Sequence, residues 1–149
     1  MNTDKHGFET DDLVGRVLGA VFEVANTLGA GFLEKVYERA LLRELRLRGI
    51  SVASQVTFPV VYKNLCVGEY LADIVVDNAL VIELKCVDRL TNEHMAQCLN
   101  YLRASGMSLC LLINFQKPTV EWKRVVLTTR SLMAVVPPSS NPGIVNGYP

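Results

Sequence analysis

Apolar side chains recur at helical spacing over residues 12–28, where Leu13, Val14, Val17, Leu18, Val21 and Phe22 share one side of DLVGRVLGAVFEVANTL, the period of an amphipathic helix. Thr10–Asp12 offer caps ahead of the run, and Gly29 and Gly31 end it. A second helix is predicted over 32–48, FLEKVYERALLRELRLR, stopped by Gly49. From 50 to 62 the text turns to strand, β-branched and aromatic, with Pro59 marking an edge position because proline donates nothing to a ladder. Lys63–Asn64 reads as a turn, 66–76 as a second strand, Asp77–Asn78 as another tight turn, and 79–87 as a third strand. Thr91 or Asn92 caps a third helix that runs to about Ala104 and closes at Gly106. SLCLLINF at 108–115 is almost wholly apolar, so it suits a central strand covered on both faces. EWKRVVLT at 121–128 supplies a last strand. The order ααβββαββ predicts an α/β domain on one mixed sheet, spanning 10–136, between a flexible start at 1–9 and a Pro/Gly/Ser/Asn-rich tail at 137–149.

Against that pattern a few polar residues stand out. In Leu80–Val87 only Glu83 and Lys85 are not apolar. Strand side chains two apart share a face, so these two project together while Ile82, Leu84 and Cys86 take the other side. Charges on an interior strand are costly unless paired or bound. A same-face Glu83–Lys85 salt bridge is one reading. Asp73 favours another: it is an acid inside LADIVV, and the Asp77–Asn78 turn folds it back to about residue 82, beside Glu83. Two carboxylates converging with a lysine are suited to holding a hard divalent cation against a phosphate, with Lys85 placed to orient or deprotonate water or to balance developing charge.

Two helices add candidates. Glu34 falls on the arc of Tyr37, Leu41 and Leu45; it either supports the metal or serves the helix dipole. The opposite stripe, Lys35, Arg39, Arg43 and Arg46, meets either a nucleic-acid backbone or water, with Glu38 as a neighbouring partner. In the third helix Met95, Cys98, Leu99 and Leu102 form the core face, bordered by His94, Gln97 and Tyr101. That edge reads either as a cleft wall, with Gln97 positioning water or phosphate and Tyr101 touching the backbone, or as polar residues at a core boundary. His94 has only His6 as a second histidine, which argues against zinc.

Composition narrows the class. The chain has 149 residues, half of them hydrophobic, and balances 15 basic against 15 acidic side chains. Neutrality argues against an extended nucleic-acid surface, though it suits a small catalytic domain or one that takes substrate affinity from a protein partner. No apolar run approaches the roughly 18 residues of a membrane span, and MNTDKHGFETDD is not a secretory signal; the cytoplasm is the expected location. An edge strand near Pro59 and the apolar helix at 12–28 suit a homodimer. Cys66, Cys86, Cys98 and Cys110 are spread without a CxxC pair and read as buried reduced thiols.

The residues Asp73-x9-Glu83-x-Lys85 are similar to the core of the PD-(D/E)xK nuclease superfamily, with Ala72 in place of the proline. Gly31-Phe32-Leu33-Glu34-Lys35-Val36-Tyr37 resembles the signature of its GxxExxY branch, and Gln97-x3-Tyr101 resembles the QxxxY helix of RecB-like and exonuclease members. The resemblance implies a restriction-endonuclease-like core. It implies that Glu34, Asp73, Glu83 and the Leu84 carbonyl bind one or two Mg2+ or Mn2+ ions, that Lys85 is catalytic with Gln97 beside it, and that Tyr37, His94 and Tyr101 face nucleic acid. Some such nucleases hold an iron–sulfur cluster on four cysteines, but ligands of that kind come in tight local groups, unlike these. The expected activity is hydrolysis of nucleic acid, DNA first, by a metal-activated water. The competing expectation is a catalytically silent nuclease-like fold that binds nucleic acid or protein.

Overall fold

The computed structural model describes residues 2–128, with backbone alone over 2–9. Its elements are α1 (Asn2–Leu28), α2 (Glu34–Leu47), β1 (Val52–Tyr62), β2 (Leu65–Val76), β3 (Leu80–Lys85), α3 (Asn92–Ser105), β4 (Leu109–Asn114) and β5 (Glu121–Val126). The predicted order holds throughout. Helix α1 begins at Asn2, so helical backbone crosses the domain limit expected at residue 10; no proline interrupts residues 2–11. The limit at 136 and the tail at 137–149 lie outside the described residues. No described helix is long and apolar enough to cross a membrane.

The sheet has the order β1-β2-β3-β4-β5. Strands β1, β2 and β3 form an antiparallel meander, β3 and β4 pair in parallel through the α3 crossover, and β5 returns antiparallel to β4. Pro59 does lie on an edge strand, β1. The β1–β2 and β2–β3 hairpins turn on left-handed pairs, Lys63–Asn64 at φ 47° and 66° and Asp77–Asn78 at φ 53° and 51°. Asn and Asp tolerate that region, and two such residues in succession match the twist of the flanking strands.

Two cores sandwich the sheet. Helices α1 and α2 cover Ile74, Val76, Leu80, Ile82, Leu84, Leu111 and Ile113. Helix α3 covers Ala72, Val75, Val81, Cys110 and Leu112 through Cys98 and Leu102. Strand β4 is buried at every position, as its apolar run predicts. Helix α3 is set as its sequence requires: Thr91 and His94 form a capping box, and Gly106 closes it at φ 76°.

One irregularity shapes the site. Ala72 packs under α3, yet Ile74, two residues on, packs under α1 and α2. Regular alternation would put both on one face. Strand β1 reverses at the same level, with Val52 on one core and Val56 on the other, and Gln55 between them has φ 54°. Strands β1 and β2 therefore turn over together at Gln55 and Asp73.

Candidate active site

The β2–β3 ladder pairs Val76 with Leu80, Val75 with Val81 and Ile74 with Ile82, then stops. Beyond it the side chains of Asp73 and Glu83 take over the strand contact. The Asp73 N–H donates to Glu83 Oε1 at 3.2 Å, and the Leu84 N–H donates to Asp73 Oδ2 at 2.9 Å. Each acid accepts a backbone N–H from the other's strand, and the two carboxyls converge where the strands part. The observed register brings Asp73 level with Glu83 rather than with residue 82.

Burial dominates the electrostatics. Glu83 is 4% exposed, and desolvation followed by the neighbouring Asp73 charge pushes its pKa up to about 9, against the Asp73 N–H and Lys85. Asp73 rises to about 6, again mainly by desolvation, opposed by the Leu84 N–H and raised further by Glu34 and Glu38. Two acids held so are expensive as a pair of anions and fit a site that receives a cation. The donors are oxygen only, and among the described residues one oxygen of each carboxyl is free of hydrogen bonds, the donor set of a hard divalent ion.

Lys85 and Glu83 project toward α3, as alternation requires. Lys85 Nζ meets Gln97 Oε1 at 3.4 Å. Among the described residues the ion pairs are Lys35–Glu38, Glu44–Arg48 and Asp11–Arg124, so a Glu83–Lys85 salt bridge does not form. Tyr101 is half-buried one turn beyond Gln97; burial, then Glu83 and Asp73, raise its hydroxyl pKa. His94 is committed to the α3 cap, its Nδ1 accepting the Thr91 N–H at 3.0 Å, so only Nε2 remains for an outside contact. The end of β3 is braced by Asn114, fully buried opposite Lys85. Its amide accepts from the Val87 N–H and donates to the Val87 carbonyl.

Four expectations change. Tyr37, expected to face nucleic acid, is 1% exposed: its ring stacks on Phe115 at 4.7 Å, its hydroxyl donates to the Gly29 carbonyl at 2.6 Å and accepts the Phe32 N–H at 3.2 Å. It ties the α1–α2 loop to the core. Tyr37→Phe strips both partners and is expected to cost about 1–3 kcal/mol in urea unfolding, with nucleic-acid affinity unchanged; the reverse pattern would restore the contact role. Glu34 is exposed at the start of α2, within electrostatic reach of Asp73 but outside the clasp; no three His, Cys, Asp or Glu side chains among the described residues close into a metal cluster. The cysteines are free, but Cys66 is exposed rather than buried, and only Cys98 and Cys110 are fully inside.

Glu38, expected as a partner beside the solvated basic stripe, does pair with that stripe but is itself buried, at 5% exposed. Lys35 Nζ reaches its Oε2 at 2.9 Å and Gln55 Nε2 its Oε1 at 2.6 Å, and its charge bears on Asp73. The available signal was its spacing, one turn after Glu34 and so on the same side of α2.

Over residues 11–125 the sequence matches the family model of the PD-(D/E)XK nuclease superfamily. Among solved structures the chain is similar to the crystal structure of SSO0001, with a TM-score of 0.50 at 14% identity. It is similar to an alkaline exonuclease, LHK-Exo from Laribacter hongkongensis, with a TM-score of 0.50 at 16% identity. Each comparison covers 67% of this chain but only 54% and 57% of those proteins, so what is shared is the fold. No curated protein matches in sequence. The five-stranded mixed sheet with helices on both faces agrees with a restriction-endonuclease-like core.

Proposed function

The chain belongs to the PD-(D/E)XK nuclease superfamily, and from that premise we propose that it hydrolyses phosphodiester bonds of nucleic acid, DNA ahead of RNA, with Mg2+ or Mn2+. The observation that carries this reading is the reciprocal clasp of Asp73 and Glu83 beside Lys85. Asp73 and Glu83 would hold the ion, with the Leu84 carbonyl on the same strand and Glu34 adding negative potential from α2. A divalent cation bound there polarises the phosphate and acidifies water. Lys85 faces the same side as Glu83, placed to take a proton from the attacking water or to balance charge on the phosphoryl oxygens. Gln97 Oε1 lies within hydrogen-bond reach of Lys85 Nζ and can orient it. Tyr101 borders the same side, and His94 Nε2 is the atom left for a backbone contact. The Gly31–Tyr37 signature supports placement in the GxxExxY branch.

The balanced charge favours a second reading, binding without cleavage. Incubation with single- and double-stranded DNA and RNA in Mn2+ separates the two. Cleavage is expected in Mn2+, none in EDTA and none by Asp73→Ala. Equal cleavage by wild type and Asp73→Ala would identify a contaminant and sink the proposal; binding with no cleavage would establish the second reading.

A further inference from the structure

A second polar feature lies on the α3 side of the sheet. A cavity of about 340 Å³ opens between α3 and the β1–β2 hairpin, lined by Pro59 and Val60 of β1, Tyr70 of β2, and Asn100, Arg103 and Ala104 of α3. Arg103 Nη1 donates to Asn100 Oδ1 at 2.7 Å. Its other two nitrogens, Nε and Nη2, are buried and make no hydrogen bond, and no acid among the described residues pairs with it. Burial lowers its pKa while the nearby Tyr70 opposes that shift. Guanidinium stays charged under such shifts, so a cation carries two buried donors that make no hydrogen bond, at a cost unless something accepts from them.

The geometry selects the ligand class. Nε–H and Nη2–H lie along one edge of the guanidinium plane, the edge that binds a phosphate or carboxylate through two parallel bonds. Nη1 is held by Asn100, while Arg103 lines the cavity and is only half-buried, so a small turn of the guanidinium presents that edge to a ligand. One wall of the cavity is shared with the surroundings of the proposed catalytic site. Tyr70 packs against Tyr101 with ring centroids 4.9 Å apart, and Tyr101 feels the charges of Glu83 and Asp73. Tyr70 precedes Asp73 by three residues on an extended strand, roughly 10 Å, about three nucleotides of B-form rise.

We infer that the Nε–Nη2 edge of Arg103 binds a phosphate of the nucleic-acid strand a few nucleotides from the scissile bond. This rests on the proposed function insofar as it requires a nucleic-acid ligand, but binding without cleavage satisfies it. Asn100 is the positioning residue that aims the guanidinium. The phosphate is either an internal phosphodiester or a terminal phosphomonoester, which share the oxygens that Arg103 reads.

The test is fluorescence anisotropy of a labelled single-stranded oligodeoxynucleotide in EDTA, across a salt series, with 5′-phosphate and 5′-hydroxyl forms. Arg103→Gln is expected to weaken binding about tenfold or more and to lower the slope of log affinity against log salt by about 0.7. A loss shared by both oligonucleotides identifies an internal phosphodiester; a loss confined to the 5′-phosphate form identifies the terminal group. Ala104→Glu puts a carboxylate into the cavity and is expected to reproduce the loss, whereas Ala104→Gln is not, which keeps the test decisive should Arg103→Gln fail to fold. Wild-type affinity and salt slope in Arg103→Gln and Ala104→Glu would overturn the phosphate site alone. Wild-type protein that binds no nucleic acid would overturn it together with the proposed function.

Discussion

Lys85→Ala is expected to lower the single-turnover rate of Mn2+-dependent cleavage by about three orders of magnitude while leaving oligonucleotide affinity within a few-fold of wild type. Lys85 is the one cation within strand β3 and shares a face with Glu83, and its Nζ lies 3.4 Å from Gln97 Oε1. Removing a group that transfers a proton in the transition state costs about 10²–10⁴-fold, and removing one that stabilises developing charge costs about 10²–10³-fold; either appears in the rate and not in ground-state binding. Lys85→Arg separates the two roles. Guanidinium remains protonated and cannot serve as a base, so an arginine variant as slow as the alanine one assigns proton transfer, and substantial recovery assigns charge balance. Cleavage by Lys85→Ala within a few-fold of wild type would remove Lys85 from the chemistry. Gln97→Ala is expected to be milder, because it frees the lysine without deleting it.

The parts legible in the sequence were those governed by local rules. Period-two alternation put Glu83 and Lys85 on one face, and the αL-tolerant pair Asp77–Asn78 placed Asp73 near them. The register came out one residue off for a local reason. The Ala79 N–H closes the turn onto the Val76 carbonyl at 2.9 Å, and Ala79 is then left over, so Leu80 opposes Val76. The rest depended on contacts between distant segments. No periodicity announces that β1 and β2 turn over at Gln55 and Asp73, which is what lets Asp73 reach the Leu84 N–H instead of continuing a ladder. Helical phase correctly grouped Tyr37, Leu41 and Leu45 as buried, but the nucleic-acid role carried over to Tyr37 from a motif fails against Phe115, 78 positions away in the chain. Spacing puts Glu38 on the Glu34 side of α2, but its partner Gln55 and the β1–β2 hairpin around Arg103 come from other elements, so neither setting was readable locally.

Without divalent ions, the protein is expected to lose stability as pH rises, and Glu83→Gln is expected to abolish much of that loss. Glu83 has a folded pKa of about 9 against an ordinary 4.5, and Asp73 about 6 against 3.8. Both are raised, so between the ordinary and folded values the folded chain binds more protons than the unfolded chain. Stability then falls with increasing pH across that window, beginning near pH 4 and continuing to about pH 9. For Glu83, nearly fully buried, the loss is on the order of a few kcal/mol. Glutamine keeps a carbonyl oxygen for the Asp73 N–H and never ionises, so in EDTA the variant is expected to match wild type near pH 5 and to exceed it near pH 8.5. Comparing urea unfolding of the two proteins at each pH cancels the groups they share. Mn2+ is expected to reverse the ranking: an ion held by the two carboxylates would compensate their charge in wild type, release a proton on binding, and so bind more tightly as pH rises. Glu83→Gln is expected to show little Mn2+ heat and no thermal stabilisation by the ion. A wild type more stable at pH 8.5 than at pH 5.5 in EDTA, with Glu83→Gln showing the same slope, would mean that Glu83 is not the buried proton store the clasp makes it. Undiminished Mn2+ binding by the variant would place the ion elsewhere.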